Sequence, residues 1–173
     1  MEDPRNLIDE YKGMPNEQVF TALGQKRTPL EIVIENLEHD FNIGSIVRTA
    51  NSFNVSKVHI IGKKKYNRRG AMCTDKYLEI IHHPAIADFL KTQKNRELVA
   101  IENNIHGAKP LHAKKFAKDT TLIFGSENNG ITPGLLEKAH EIRFIESFGS
   151  TRSVNVGVAA GIAMYEYARQ IIL

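Results

Sequence analysis

The chain has 173 residues, with 23 Lys and Arg against 20 Asp and Glu, for a formal net charge of +3. That length suits one domain, and a hydrophobic content of 42% supports a packed core rather than disorder. The single cysteine, Cys73, excludes an internal disulfide and Cys-based zinc motifs, and no stretch approaches the ~18 uninterrupted apolar residues of a membrane span.

Met1-Glu2-Asp3-Pro4-Arg5 lacks the apolar core of a signal peptide, so a soluble, cytoplasmic protein is expected. Asn16 is the expected cap of a first helix that stops at Gly24. Residues 31–35 then read as a strand. Residues 42–53 read as an amphipathic helix, with Ile43, Ile46, Val47 and Ala50 on its apolar stripe and Asn42 before it as a cap. Strands are predicted at 57–61 and 79–82, followed by a helix over 84–95 with Pro84 in its first position. Further strands fall at 98–101, 121–124 and 142–145. Thr132 and Pro133 open a short helix between the last two, and a final helix runs over 153–172. Each strand is short and nearly continuously apolar, as for strands covered on both faces. The alternation predicts an α/β fold with a mostly parallel sheet and helices on both faces, whose ligands sit beyond the carboxyl ends of the strands.

Three strand ends carry candidate chemistry. After the first, Arg48 lies roughly 140° around the helix from the apolar stripe, so its guanidinium points away from the core. A solvated helix face and a functional one both fit. After the strand at 121–124 comes Gly125-Ser126-Glu127-Asn128-Asn129-Gly130, which suits either an ordinary turn or backbone amides approaching a ligand. Ile131-Thr132 stands where a P-loop needs Lys-Ser/Thr, and no G-x-G-x-x-G occurs. The third, Ile145 to Asn155, leads into a helix holding Gly157, Ala159, Ala160, Gly161 and Ala163. Small residues there admit a cofactor loop, a neighbouring helix or a second subunit. Between strands two and three, Lys63, Lys64, Lys65, Arg68 and Arg69 surround Tyr66, a pattern that fits a solvated loop or phosphate contacts with base stacking. The seven histidines show no metal-type spacing, and His82 and His83 read as surface or packing residues.

In order, these segments resemble the SpoU (TrmH-type) RNA 2′-O-ribose methyltransferases of the SPOUT superfamily. The first motif is Asn36 to Ala50, the second Leu122 to Ile131, and the third Ile145 to Gly149 with Ser153-Val154-Asn155-Val156. The resemblance implies a domain over 30–173, preceded by an N-terminal helical extension over 1–29. It implies a C-terminal deep trefoil knot, an exception to the rule against knots. It implies a homodimer that binds S-adenosylmethionine and methylates a ribose 2′-hydroxyl of RNA, and the compact match from near residue 30 leads us to expect tRNA in preference to rRNA. Gly125, Ile145 and Val154 would contact the cofactor, and Glu102-Asn103-Asn104 would lie near it. Arg48, Asn42, Glu127, Ser153 and Asn155 would form the catalytic, RNA-facing cluster, and no metal is implied.

One departure stands out. The family reads Ile-Pro-Met where this chain has Ile145-Glu146-Ser147, which removes rigidity and an apolar wall and adds a carboxylate. The alternative reading is accordingly a non-catalytic RNA-binding protein that keeps the fold. A guanidinium starts from the wrong protonation state for a base. Arg48 is therefore expected to clamp the phosphate beside the target ribose and stabilise the forming alkoxide, with Ser153, Asn155 or that phosphate assisting proton removal.

Overall fold

The computed structural model describes residues 3–36, 42–126 and 129–173. In chain order, helix α1 (Asn16–Gly24) precedes strand β1 (Thr28–Asn36), helix α2 (Asn42–Ser52), β2 (Val55–Gly62) and β3 (Ile80–His83). Helix α3 (Ile86–Thr92), β4 (Glu97–Ile101), β5 (Lys109–Pro110) and β6 (Thr120–Phe124) follow, then α4 (Pro133–Leu136), β7 (Glu141–Phe144) and α5 (Val156–Ile171). Among the described residues the seven strands form one sheet in the order β3-β2-β1-β6-β4-β7-β5, and every neighbouring pair is parallel.

The chain lays strands outward from β1 to the β3 edge, crosses to β4, and later inserts β6 between β1 and β4 and β7 between β4 and β5. The direction of winding therefore reverses near β1, β6 and β4. Crevices for ligands form at such reversals, beyond the carboxyl ends of the strands.

Alternation along β1 explains the two layers. Leu30, Ile32 and Ile34 meet Ile43, Ile46 and Val47 of α2 and Ala160, Ala163, Met164 and Tyr167 of α5 in one apolar cluster. Val33, one residue out of phase, faces a second cluster with Phe89 of α3 and Leu135 of α4. Helices thus cover both faces, as the unbroken apolar runs predict. Each large side chain so buried contributes about 1.5–3 kcal/mol of transfer free energy.

Several expected boundaries shift. Asn16 is not the cap of α1: Pro15 holds that place, and the Asn16 Oδ1 accepts from Arg5 and Tyr77, tying the first residues to the rest of the chain. Pro84 precedes α3 rather than opening it, because Ala85 is the extended cap residue. Thr132 caps α4 by position only. Its hydroxyl donates to the Glu35 carboxylate at 2.7 Å, and its amide donates to the same group at 2.7 Å, which anchors α4 to the end of β1. Asn42 is already within α2. The last helix begins at Val156 rather than Ser153, with Asn155 as its cap. β5 has only two residues and no alternation by which to predict it.

The second face also buries a polar chain. His59 Nε2 lies 3.0 Å from Glu31 Oε2 and His59 Nδ1 lies 2.8 Å from His83 Nε2, while the Gln93 amide donates to Glu31 at 3.2 Å. With His59 Nε2–H donating to the carboxylate, its Nδ1 accepts from His83 Nε2–H, so no extra proton is needed. Burial, with His59 and His82 nearby, pushes the His83 imidazole below its ordinary value. Burial opposes ionisation of Glu31, but its hydrogen bond from His59 and the Arg96 charge outweigh this and hold the carboxyl below its ordinary value. Both groups resist protonation when folded, so their stabilisation is complete above the unfolded values and is lost as pH falls. The denaturant midpoint is expected to drop as pH goes from about 7 to about 5. The drop should be shallower in His83→Gln, and equal slopes in the two proteins would show that His83 contributes nothing to it.

Candidate active site

The carboxyl ends of β4 and β6 open into a cleft of about 620 Å³. Ile101 of β4 and Glu102 just beyond it line the cleft, the loop after β6 contributes Gly125, Ser126 and Asn129 to Ile131, and the segment entering α5 contributes Ser153, Val154 and Asn155. Segments far apart in sequence, the second and third motifs, therefore share one wall.

The loop after β6 is closed by its own backbone. Ser126 and Gly130 exchange two hydrogen bonds, the Ser126 amide to Gly130 O at 3.0 Å and the Gly130 amide to Ser126 O at 2.9 Å. A Cβ on Gly125 would lie 2.0 Å from Gly130 C and 2.3 Å from Ile131 N, so the returning chain itself demands glycine there. Gly130 has φ of +64°, the left-handed region, and a Cβ would lie 2.5 Å from Glu102 Oε2. Glu102 in turn accepts from the Ile131 amide at 3.0 Å, pinning the loop to β4.

Asn103 does the same for the third motif. Its side-chain amide donates to Ile145 O and Arg152 O, both at 3.1 Å, and its Oδ1 accepts from the Ile145 amide. Ile145 therefore stands behind the cleft, its side chain buried in the core, and is not among the lining residues. Sequence spacing pointed to Glu102-Asn103-Asn104 only loosely. What these side chains hold becomes visible only when β4 lies beside β6 and β7.

Asn155 connects the first motif to the third. Its Oδ1 accepts from the Gly157 amide at 2.9 Å and from Val158 at 3.4 Å, capping α5, while its Nδ2 donates to Asn42 Oδ1 at 2.9 Å. Beyond it, a Cβ on Gly157 would meet Asn155 Oδ1 at 3.1 Å and Ser45 Cβ at 3.6 Å, and one on Gly161 would meet Thr49 at 3.8 Å. The small residues of α5 thus serve an intramolecular seam with α2, one of the three neighbours left open by the sequence. The face of α5 turned away from the sheet, next to the α2 seam, exposes Val158, Ile162 and Tyr165.

Arg48 is exposed on α2, as its angular position predicts, and is not among the residues lining the cleft of its own chain. Glu127 lies outside the described residues. Ser153 is exposed in the cleft wall. Glu146, the departure in the third motif, turns away: its Oε2 lies 3.2 Å from His112 Nδ1, and neither residue lines the cleft.

The basic loop packs against the start of α2, where a Cβ on Gly44 would lie 2.8 Å from Asn67 O. Asn36, fully buried at the end of β1, donates to Lys63 O at 2.5 Å and Lys65 O at 3.1 Å, so the loop is tied to the same strand end. Lys63, Lys64, Lys65, Arg68 and Arg69 are all exposed, and Arg68 pairs with Asp75. Tyr66 is not the free stacking platform that its place among cations predicts. It is half-buried against the α2-side core, and burial raises its phenol above the ordinary value.

With this geometry in place, the sequence profile of the SpoU rRNA Methylase family matches residues 29–165. The chain belongs to that family. Over 157 residues it is 30% identical to the tRNA (guanosine(18)-2′-O)-methyltransferase of Aquifex aeolicus, spanning 86% of this chain and 73% of that protein. Over 170 residues it is 24% identical to the 23S rRNA (guanosine-2′-O-)-methyltransferase RlmB of Haemophilus influenzae, spanning 94% of this chain and 69% of that protein. The solved A. aeolicus TrmH/SpoU tRNA modifying enzyme superposes with a TM-score of 0.77 at 27% identity, over 90% of this chain and 83% of that one. Family membership gives the three converging motifs a common context. No helix among the described residues is long and apolar enough to cross a membrane, and they contain no group of three or more metal-ligating side chains.

Proposed function

We propose that this chain is an S-adenosylmethionine-dependent RNA methyltransferase acting on a ribose 2′-hydroxyl of tRNA. The observation that carries the reading is the meeting of the second and third motifs in one cleft, with the first tied to the third through Asn42 and Asn155. The cleft fits the cofactor's chemistry. Ile101, Ile131 and Val154 offer an apolar wall for a purine, and Glu102 and Ser126 offer acceptors for ribose hydroxyls. Gly125 and Val154 would hold the cofactor directly, with Ile145 supporting the wall from behind. Relatives named for position 18 of tRNA support tRNA over rRNA.

When bound, S-adenosylmethionine supplies a methyl group on a positively charged sulfonium. In-line displacement needs the 2′-oxygen about 3–3.5 Å from that carbon, and positioning supplies much of the rate. Ser153 Oγ would accept the 2′-hydroxyl hydrogen bond and orient the oxygen for attack, passing the proton toward the neighbouring phosphate, while the donor's sulfur leaves as a neutral thioether. Arg48 clamps the neighbouring phosphate bidentately and stabilises the forming alkoxide. Asn155 positions the Ser153 segment through its cap and its bond to Asn42. The basic loop neutralises RNA phosphates.

The same reading includes a homodimer and a C-terminal knot over the 30–173 domain, with 1–29 as an extension. The exposed Val158, Ile162 and Tyr165 stripe supports pairing of two copies, since an apolar patch of this kind is the usual mark of an interface. Arg48 stands on the helix packed against α5, so such pairing would bring each Arg48 toward the margin of the joint. Late insertion of β6 and β7 between earlier strands supports a threaded chain.

The test is methyl incorporation from labelled S-adenosylmethionine into purified tRNA and rRNA, followed by mapping of 2′-O-methyl positions. Labelled ribose in tRNA is expected. RNA binding without incorporation would favour the non-catalytic alternative.

A further inference from the structure

A second cavity, of about 790 Å³, lies toward the β3 edge of the sheet beneath the basic loop. Ile60 of β2, Ile80 of β3 and Leu78 just before it form its apolar floor, and all three belong to or pack against the α2-side core. The rings of Tyr66 and His82 line it as well. Exposed Lys64, Lys65 and Arg68 stand around it. Asp75, with a side chain only 6% exposed, also lines it and fixes Arg68 by an ion pair.

This combination is chemically specific. A site for phosphate alone needs cations and amides, and gains nothing from three aliphatic side chains and two rings. A flat aromatic heterocycle joined to a phosphate uses both parts, its face on the apolar floor and its charge on the rim. His82 adds direction. Its Nε2 lies 2.7 Å from Gly62 O and donates to that carbonyl, which fixes the ring and leaves Nδ1 to hydrogen-bond a base edge.

The position is also right for a polymer. β2 is separated from β6 only by β1, so the two strands run about 10 Å apart and end on the same side of the sheet. That spacing is within the reach of a few nucleotides of an RNA strand whose target ribose lies in the cleft.

We propose that the cavity beneath the basic loop takes an unstacked nucleobase of the RNA substrate, from a nucleotide other than the one methylated, with Lys64, Lys65 and Arg68 on the adjoining phosphates. The proposal rests on the RNA reading above and concerns how the substrate is chosen. A base held there would set which sequence or loop shape places its neighbour in the cleft.

The test is an NMR titration of the full chain, saturated with S-adenosylhomocysteine to occupy the cofactor cleft, using the four nucleoside 5′-monophosphates and ribose 5-phosphate. At least one monophosphate is expected to shift the Leu78, Ile80 and His82 signals and to bind about five-fold or more tighter than ribose 5-phosphate. His82→Ala should weaken the monophosphate and leave ribose 5-phosphate unchanged, whereas Lys64→Gln with Lys65→Gln should weaken both. Equal binding of ribose 5-phosphate, shifts confined to 125–131 and 153–159, or no binding would overturn the proposal. Failure of S-adenosylhomocysteine to bind would instead count against the methyltransferase reading, and the shift map around 64–82 would still decide the nucleobase site.

Discussion

Gly125→Ala is expected to lower the thermal midpoint by roughly 6–20 °C and to abolish measurable S-adenosylmethionine binding. The added methyl would sit 2.0 Å from Gly130 C, 2.2 Å from Gly130 O and 2.3 Å from Ile131 N, all backbone atoms that no rotamer change can move. Relief requires the chain at 130–131 to retreat. That opens the paired Ser126 and Gly130 hydrogen bonds and strains the Ile131 bond to Glu102. Overpacking costs about 1–3 kcal/mol, and each lost hydrogen bond costs about 1 kcal/mol more. In a domain of this size, each kcal/mol moves the midpoint by about 2–4 °C. Because the displaced segment is a wall of the cleft, affinity should fall further than stability alone would predict. Gly24→Ala, at the end of α1 and away from the cleft, is the matched control: a Cβ there meets nothing within 4 Å, so its affinity should stay at the parent value and its midpoint should not fall. Scanning calorimetry and cofactor titration on both variants separate the effects. A Gly125→Ala protein with parental affinity would show that the loop is not part of the cofactor site.

The layers of this fold are legible in sequence because they rest on local patterns. The 31–35, 57–61, 98–101 and 121–124 runs are apolar on both faces, and all become inner strands of the parallel sheet. Arg48 falls on the exposed side of α2 for the same reason, since 100° per residue is a local rule. What stays illegible depends on partners distant in the chain. Glu31 reads as an ordinary strand end, yet it is buried because His59, Gln93 and Arg96 reach it from β2, from just beyond α3 and from the approach to β4. Asn103 is one of two adjacent asparagines, and nothing local marks it as the one that grips Ile145 and Arg152. The glycines of α5 announce a close neighbour without saying which, and the neighbour is Ser45 and Thr49 of α2. Tyr66 sits among cations in sequence, but Asn36 draws its loop onto the sheet end and half-buries the ring. Glu146 brings a carboxylate into the third motif, and only the fold shows that it reaches His112 rather than the cleft lining.

Arg48→Ala is expected to reduce methyl transfer by ~100-fold or more at saturating cofactor while leaving S-adenosylmethionine affinity within about two-fold of the parent. The two effects separate because Arg48 is exposed on α2 and is not among the residues lining its own chain's cleft, so its loss leaves the cofactor walls intact. Stability should barely change, since removing an exposed side chain from a helix face usually moves it by less than about 0.5 kcal/mol. Arg48→Lys tests the clamp itself. Lysine keeps the charge but offers a point donor in place of a planar fork, so a bidentate phosphate contact should be only partly restored, with turnover still about ten-fold or more below the parent. Near-parental turnover in Arg48→Lys would mean that charge alone suffices. If Arg48→Ala kept full activity, the residue would be an ordinary solvated position. A second measurement places the effect in the subunit arrangement: mixing Arg48→Ala with Gly125→Ala copies and assaying the mixture. If the guanidinium of one copy serves the cleft of the other, the hybrid holds one site with both defects and one with neither, and activity rises above that of either variant alone. If Arg48 serves its own chain's cleft, every site in the hybrid keeps one defect and no activity returns.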